Sequence, residues 1–245
     1  MSSEDGGPSP LPLSVVIPVL NEGATIASVL RSIEAQVATP HEVVVVYDFD
    51  EDDTVPVVRE LLGELASVRL HRNDLGRGAL NAIRSGIAAT RGRYVLVGMA
   101  DGSDDHRIAD EMVALAETGA VVVAASRYAP GGSQVGGPRA KALASRAAGM
   151  LLHRVGGMPI RDPTNNYKLY AREFLDKVSI ESTGGFEVAL ELSVKAYAGG
   201  YPMAEIPVTW YGRTAGESHF DFRRWLPLYL RWWAKGMAVG LRRAR

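Results

Sequence analysis

The first half of the chain alternates short apolar runs rich in Val and Ile with segments that have the spacing of amphipathic helices. The runs that we predict to be strands cover 13–20, 42–48, 68–73, 93–101 and 121–128. Short β-branched runs are typical of strands buried on both faces, and the helical segments between them supply the crossovers that parallel strands need. The sequence therefore predicts an α/β fold with a mostly parallel central sheet flanked by helices.

The second half has a different pattern, closer to α+β. A glycine-rich loop at 131–138 precedes a predicted helix at 139–154 and a short segment around 165–170. A further helix at 187–198 and a strand at 205–211 follow. No repeat or domain-sized linker interrupts these elements, so we expect a single domain made of two halves.

Three of the predicted strands end in charged residues, namely Asp48, Asp101 and Arg127. In open α/β sheets, ligands bind beyond the carboxyl ends of the strands. Charged side chains delivered to that edge by three strands predict a polar ligand there.

Composition excludes several classes of protein. With 47% hydrophobic and 22% charged residues the chain is ordinary for a folded domain. Cysteine is absent, which excludes disulfides, thiolate zinc sites and a cysteine nucleophile. No run of 18 apolar residues occurs and the first residues lack a signal-peptide pattern, so we expect a cytoplasmic protein. We predict that residues 1–12 form a disordered leader.

The last 24 residues carry an unusual charge. Residues 222–245 hold seven Arg and Lys and no acid, while the rest of the chain has a net charge of −8. On a helix, most of the basic residues share one side and the Trp and Leu residues the other, a pattern typical of a helix in a membrane interface. The alternative is a terminal helix that docks on its own domain or on a second subunit. The acidic body argues against a nucleic-acid-binding protein.

Several common motifs are missing. The sequence has no P-loop and no nucleophile elbow, and its five His lack zinc-like spacing. The segment 76–81 resembles a dinucleotide fingerprint, but Asn81 stands where a third small residue is needed. A Rossmann cofactor site is therefore not expected.

The acidic turn at 101–105 directly follows a predicted buried strand and includes a glycine. Carboxylates on such a turn suit a hard divalent cation that shares its oxygen ligands with a diphosphate. The alternative is that Asp104 or Asp105 caps the helix that begins near Ile108.

Eight segments carry a resemblance to a known family. In chain order they are 16–22, 47–54, 75–92, 99–101, 126–132, 162–168, 185–191 and 205–218. Their order and content resemble family 2 glycosyltransferases of the GT-A fold, and the dolichyl-phosphate mannose synthase branch in particular. The first segment, for example, reads V-I-P-V-L-N-E, and 126–128 reads S-R-Y. Three departures stand out: Met99 replaces the first Asp of D-x-D, Tyr47 the first Asp of D-D, and His219 a common Lys.

The resemblance implies an inverting glycosyltransferase. It would move a hexose of the mannose or glucose type from a nucleotide diphosphate sugar to a polyprenyl phosphate, with Mg²⁺ or Mn²⁺ as cofactor. A soluble transferase acting on a hydroxyl or amine of a small molecule is the alternative. A nucleotide-sugar-binding protein with degraded catalysis is a third reading, favoured only by Met99.

The resemblance and the strand-end positions together assign candidate site residues. We expect the nucleotide sugar to contact Pro18, Leu20, Asn21, Glu22, Asp48, Asp52, Gly76, Arg77, Ala100 and Asp101. The metal would be held by Asp101, Ser103 and Asp104, and the catalytic residues would be Asp101, Arg127, Asp162 and Arg213. Asp162 would be the base if the acceptor were a neutral hydroxyl. The acceptor or its phosphate would meet Arg127, Arg139, Arg146, Arg213 and Ser218.

The expected organisation follows from these assignments. A GT-A catalytic domain covers 13–221, with a nucleotide-sugar half at 13–130 and an acceptor half at 131–221. Residues 222–245 form a basic helix that docks or binds membrane. The expected partners are the nucleotide sugar, the acceptor and the cytoplasmic face of a membrane. Self-association into a homo-oligomer is left open.

Overall fold

A computed structural model of the chain describes residues 11–212 and 222–244, with side chains from 225 in the second range. Its strands are Leu13–Pro18 (β1), His41–Tyr47 (β2), Val68–Arg72 (β3), Tyr94–Val97 (β4), Val122–Ser126 (β5), Ser133–Val135 (β6), Lys168–Ala171 (β7), Met203–Pro207 (β8) and Thr209–Tyr211 (β9). Its helices are Ile26–Gln36 (α1), Thr54–Leu61 (α2), Ala79–Ala89 (α3), Ala109–Glu117 (α4), Arg139–Arg154 (α5), Arg172–Leu175 (α6), Val188–Ala198 (α7) and Phe222–Arg243 (α8).

Seven strands form one sheet in the order β3-β2-β1-β4-β7-β5-β8, and every pairing that excludes β7 is parallel. All side chains of β1, β4 and β5 are buried, as their Val-, Ile- and Ala-rich sequences require. The predicted α/β fold with a mostly parallel sheet is confirmed. Strands β7 and β8 come from the predicted acceptor half, so both halves of the chain share this sheet.

Strand β7 was predicted only as a short segment and lies near the centre of the sheet. It runs antiparallel to β4 and β5, with Lys168 opposite Val97 on one side and Ala124 on the other. Because its direction is reversed, the start of β7 lies at the edge where its neighbours end. This edge therefore receives residues from both directions of the chain.

A glycine brings α3 close to the sheet. A Cβ at Gly86 would lie 2.4 Å from a methyl group of Val16 and 2.9 Å from one of Val46. The helix thus packs directly on β1 and β2, and its first turn lies beside the carboxyl ends of those strands.

The glycine-rich loop at 131–138 contains a short strand that the sequence did not predict. Strand β6 pairs in parallel with β9, with Ser133 opposite Thr209 and Val135 opposite Tyr211. This two-stranded sheet links the start of α5 to the segment that leads toward α8.

Helix α8 docks on its own domain. Trp232 is only 2% exposed and packs in a cluster with Leu152 of α5 and Val194 of α7. Trp233 donates from Nε1 to the carbonyl oxygen of Ala148 at 3.0 Å. The docking alternative for the tail is therefore the arrangement observed. No helix among the described residues is long and apolar enough to cross a bilayer.

Candidate active site

The turn after β1 is held by a buried acid. Both carboxylate oxygens of Asp52, whose side chain is fully buried, accept from the backbone N–H of Asn21 at 3.1 Å, and one also accepts from Thr54 N at 2.9 Å. Asn21 has a left-handed φ of 53°, a conformation that Asn tolerates better than most residues. Asp52 was predicted to contact the nucleotide sugar, but here it fixes the turn from inside. Pro18 is buried at the end of β1, whereas Leu20 is exposed.

The same turn has a second set of contacts at its outer side. The N–H of Glu22 donates to Thr54 Oγ1 at 2.9 Å, and the N–H of Gly23 donates to Asp53 Oδ1 at 2.8 Å. A Cβ at Gly23 would lie 2.8 Å from the carbonyl oxygen of Asp53, so the close approach of the two turns requires glycine there. The residues after β1 that we predicted to contact the nucleotide sugar thus lie on a turn that these hydrogen bonds hold in place.

Asp48 fixes the glycine loop that precedes α3. One of its oxygens accepts from Asn73 Nδ2 and the other from Gly78 N, both at 2.7 Å. Asn73 Nδ2 also donates to the carbonyl oxygen of Gly76 at 2.7 Å. Gly78 has φ 121° and ψ 153°, a region that only glycine adopts readily. The fold therefore brings Asp48 and Gly76, two of the residues predicted to contact the nucleotide sugar, together through Asn73.

Arg77 lies exposed at the tip of this loop. Its guanidinium carbon is 4.7 Å from the centre of the Phe49 ring, which follows directly after Asp48. Stacking on an aromatic face keeps a guanidinium oriented without consuming its donors. Arg77 therefore remains able to meet an anionic group at the edge of the sheet.

The acidic turn after β4 presents two neighbouring carboxylates. Asp101 is 9% exposed and its Oδ1 accepts from Ser103 N at 3.1 Å, while Asp104 Oδ2 accepts from Met99 N at 2.8 Å. Burial raises the pKa of Asp104 to about 8, and the nearby charge of Asp101 adds to this rise. Ala100 is buried and contributes backbone only. Two neighbouring carboxylates that repel one another, one of them buried, are an arrangement that a cation would relieve.

Asp105, one of the two acids predicted as alternative helix caps, does cap the next helical turn. Asp105 Oδ1 accepts from the N–H of Arg107 at 3.2 Å, at the start of a short 3₁₀ turn His106–Ile108. Within the described residues no group of three or more His, Asp or Glu side chains is placed to hold a metal ion. Two carboxylates such as those of Asp101 and Asp104 would fit Mg²⁺ or Mn²⁺ if a diphosphate supplied further oxygens.

A buried histidine supports this turn from below. His106 is 3% exposed, and its Nδ1 lies 3.1 Å from the hydroxyl of Tyr167, just before β7. Burial lowers the pKa of His106 to about 4, so the ring is neutral near pH 7. The sequence analysis missed this pair, because nothing in the spacing of 106 and 167 joins them.

Arg127 and Asp162 form a buried ion pair. Arg127 Nε donates to Oδ2 at 2.7 Å, Nη2 donates to Oδ1 at 2.9 Å, and the Arg127 backbone N–H adds a third bond at 3.1 Å. Burial would raise the pKa of Asp162, but the Arg127 charge and hydrogen bonds hold it below the usual range. A fully buried carboxylate already engaged in this way is not placed to accept a proton from an acceptor hydroxyl. The geometry does not support the prediction that Asp162 is a base.

Helix α5, which carries two further predicted acceptor residues, borders this pair, since Arg127 Nη2 donates to Ser145 Oγ at 3.5 Å. Arg139 and Arg146 are exposed on α5. Arg213 and Ser218, the other two predicted contacts, lie outside the described residues. Of the predicted acceptor set, the described residues thus show Arg127 in the ion pair and Arg139 and Arg146 exposed on the helix that adjoins it.

The start of α8 reaches the loop before α7. Cβ atoms at Gly184 and Gly185 would each lie within 2.7 Å of the Trp225 ring, so the ring lies directly on this glycine pair. The Glu187 carboxylate accepts from the N–H groups of Gly184 and Gly185, both at 2.7 Å. A Cβ at Gly185 would also be 3.6 Å from Ala79, the first residue of α3. The tail helix is thus in contact with the region next to the glycine loop.

Comparison with known proteins fits this site. The family model for "Glycosyl transferase family 2" matches residues 14–179. The chain belongs to glycosyl transferase family 2. This glycosyltransferase is 29% identical over 210 residues to the polyprenol monophosphomannose synthase of Mycolicibacterium smegmatis, covering 83% of this chain and 79% of the relative. It is 31% identical over 212 residues to the undecaprenyl-phosphate mannosyltransferase of Micrococcus luteus, covering 83% and 85%.

Solved structures bear out the fold of the glycosyltransferase. Glucosyl-3-phosphoglycerate synthase from Mycobacterium tuberculosis, in complex with Mn²⁺, UDP and glucosyl-3-phosphoglycerate, superposes with a TM-score of 0.68. The match covers 93% of this chain and 79% of that chain, at 21% identity. The predicted family, the GT-A fold and the enzyme class are therefore confirmed.

Proposed function

We propose that this glycosyltransferase moves a hexose from a nucleotide diphosphate sugar to a polyprenyl phosphate, with inversion at the anomeric carbon. The names of the two curated relatives support the acceptor class, and each aligns with more than four fifths of this chain. The structural observation that carries the lipid acceptor is an exposed apolar face on α5 and α8. This face lies next to Arg127, because Ser145 of α5 accepts from Arg127 Nη2 at 3.5 Å.

Helix α5 has an exposed apolar stripe at every fourth position. Leu143, Ala147 and Leu151 are exposed on the helix and Val155 follows its end, with Leu143 70% exposed. Residues four apart lie on one helix face, so these side chains form a continuous line. Arg139 begins the same line.

Helix α8 has a second stripe beside the first. Leu226, Leu230 and Leu241 are all exposed and, at about 100° per residue, fall within about 60° of one another. The two helices touch where Trp233 binds the carbonyl of Ala148. Apolar side chains rimmed by Arg on neighbouring helices are typical of a surface that lies in a membrane interface.

The basic side of α8 is partly neutralised within the protein. Arg231 and Lys235 lie 3.5 Å and 3.4 Å from a carboxylate oxygen of Glu181. Lys235 also lies 4.0 Å from the centre of the Trp232 ring. Because part of its basic charge is already paired, the tail would contribute less to membrane binding by charge than its sequence suggests. The apolar stripes would contribute correspondingly more.

The donor would bind across the ends of β1, β2 and β4. Its nucleotide would meet the rigid turn after β1 and the loop fixed by Asp48, and Arg77 would be available to its phosphates. Asp101 and Asp104, with Ser103, would hold the divalent cation. The cation, when bound, would neutralise the charge that develops on the leaving diphosphate. Structural neighbours that hold Mn²⁺ or Mg²⁺ with UDP support this part.

A phosphate acceptor is consistent with the pairing of Asp162 with Arg127, because such an acceptor needs no base. A polyprenyl phosphate brings an oxygen that is already anionic, so its attack needs position and exclusion of water rather than proton removal. Arg127, oriented by Asp162, would attract the phosphate to the anomeric carbon. Asp162 would act by holding Arg127.

A panel of nucleotide sugars tests the proposal. GDP-mannose, UDP-glucose and their analogues are incubated with undecaprenyl phosphate in detergent, with Mg²⁺, with Mn²⁺ and with EDTA. Lipid-linked sugar that depends on the cation is the expected result. Transfer to a hydroxyl or amine acceptor but not to the lipid would favour a small-molecule substrate, and binding without any transfer would contradict the proposal.

A further inference from the structure

Lys168 is a fully buried amine that the proposed reaction does not use. It is the first residue of β7, in the centre of the sheet, and its side chain is 0% exposed. Its Nζ donates to the carbonyl oxygen of Pro163 at 3.1 Å and also to that of Asn165. Burying an amine is costly, so its position calls for a purpose other than packing.

The two carbonyls belong to the turn that carries Asp162. Within this turn Asp162 Oδ1 accepts from Asn165 N at 3.2 Å and from Thr164 Oγ1 at 3.1 Å. The Asp162 side chain thus ties the turn from one side, and Lys168 ties its carbonyls from the other. The carboxylate that receives Arg127 is held between them.

We propose that Lys168 is a positioning residue for Arg127, acting through the 162–165 turn and the Asp162 carboxylate. Without the two hydrogen bonds from Nζ, the carbonyls of Pro163 and Asn165 are left without these donors, and the turn relaxes. The Asp162 oxygens then no longer fix the guanidinium of Arg127 at the carboxyl edge. Protonated or neutral, a lysine amine retains at least two N–H groups, so this role does not require its charge.

The position of Lys168 also joins the two parts of the site. Its neighbour Tyr167 contacts His106 under the acidic turn, whereas Lys168 contacts the 162–165 turn. Two consecutive residues at the start of β7 therefore support the carboxylates on one side and the arginine on the other. The effect that we expect this arrangement to have on sugar transfer rests on the proposed function.

The chain has no cysteine, which allows a chemical test at this position. Lys168→Cys is alkylated in denaturant and refolded, in one sample with 2-bromoethylamine and in a matched control with 1-bromopropane. The first product restores an amine at nearly the length of lysine, and the second has a similar length and no N–H. Transfer from GDP-mannose and UDP-glucose to undecaprenyl phosphate gives kcat and the KM for donor. The ¹⁵N signal of the Arg127 Nε–H reports the ion pair directly. It is assigned as the signal that disappears in Arg127→Lys.

The propyl product should lose at least about tenfold in kcat, because a misplaced catalytic group costs up to ~100-fold. Its KM for donor should stay within about threefold, and the Arg127 Nε–H signal should move toward that of a solvated guanidinium. The aminoethyl product should recover both. Lys168→Gln, expressed directly, keeps a side-chain N–H and should fall between the two.

A propyl product with unchanged kcat and an unchanged Arg127 signal would overturn the proposal. If the propyl product does not refold, Lys168→Gln decides by the same two measurements, and wild-type values there would overturn it. If the wild-type protein transfers neither sugar, the proposed function fails. The Arg127 signal still decides the role of Lys168 in that case.

Discussion

Asp48, at the end of β2, accepts a hydrogen bond from the backbone N–H of Gly78 at 2.7 Å, directly before α3 begins. The bond ties the carboxyl end of one strand to the first turn of the next helix. Since the other Asp48 oxygen accepts from Asn73, both oxygens serve the loop. Asp48 therefore shapes this edge of the sheet, where we propose that the nucleotide sugar binds, through the backbone around it.

Asp48→Asn should weaken nucleotide binding about tenfold, roughly 1.4 kcal/mol, because one of the two acceptor oxygens becomes an amide that cannot accept. Titration calorimetry with UDP and GDP measures the change. Asp50→Asn is the control, since Asp50 is half-exposed and pairs with Arg72 at 3.3 Å. Equal affinities of the two variants would contradict a role for Asp48 in shaping the loop.

Asp101→Asn should lower turnover by at least about 100-fold, as loss of an electrostatic group at a developing charge does. The amide retains the acceptor for Ser103, so the melting temperature should change little. Mn²⁺ affinity, measured by electron paramagnetic resonance, should fall in parallel. Glu111→Gln, exposed on α4, serves as control. Activity within a few-fold of wild type would show that the metal assignment to Asp101 is wrong.

Asp162→Asn should destabilise the protein by about 3 kcal/mol at neutral pH, because it leaves the buried Arg127 without its partner. The folded-state pKa of Asp162 is below its ordinary value, so this contribution is present above about pH 4 and is lost as the pH falls further. The stability gap between wild type and variant should therefore close in acid. Urea unfolding between pH 3 and 7 measures it. A gap independent of pH would argue against an ionised Asp162.

Gly240→Ala should detach or shift α8, because a Cβ there would lie 1.9 Å from the carbonyl oxygen of Gly156. Overpacking of this kind costs about 1–3 kcal/mol. Gly63→Ala is the matched control, since a Cβ at Gly63 meets nothing within 4 Å. Thermal unfolding compares the two, and equal melting temperatures would show that α8 tolerates the displacement.

Leu143→Ser combined with Leu230→Ser should reduce sedimentation with vesicles of phosphatidylglycerol and phosphatidylcholine by at least about fivefold. Each exposed Leu that enters the interface contributes on the order of 1 kcal/mol or more. Leu62→Ser is the control, because Leu62 is also exposed and lies just after α2, outside the two apolar stripes. Binding that is unchanged in the double variant but lost at high salt would assign membrane contact to charge alone.

The sequence predicts much of the donor half because its strands are uninterrupted β-branched runs. The run at 93–101 predicts the strand, although β4 ends at Val97 and Asp101 lies in the turn that follows rather than at the end of the strand. Asp52 shows the limit of this reasoning, since a motif position does not reveal whether a carboxylate faces a ligand or the backbone. Only the hydrogen bonds to Asn21 make that clear.

The acceptor half was less predictable for topological reasons. Local sequence does not encode that β7 enters between β4 and β5 in reverse, so the support that Lys168 gives Asp162 could not be foreseen. The tail shows a related limit. Its Trp-rich face predicts burial against an apolar surface, which could be a membrane, a second subunit or its own domain. Only the contacts with Leu152 and Val194 show that Trp232 packs on its own domain.

The central position of β7 also dictates an order of assembly on the ribosome. Strands β1 to β4 pair only with one another until β7 arrives, so a growing chain can complete a four-stranded sheet once Val97 has emerged, and Asp101 and Asp104 of the acidic turn follow within seven residues. Strand β5 pairs only with β7 and β8, and it must wait for residues that are translated later. Arg127, directly after β5, pairs with Asp162, which is translated 35 residues later. The nascent chain would therefore complete the proposed nucleotide-binding edge before it forms the Arg127–Asp162 pair.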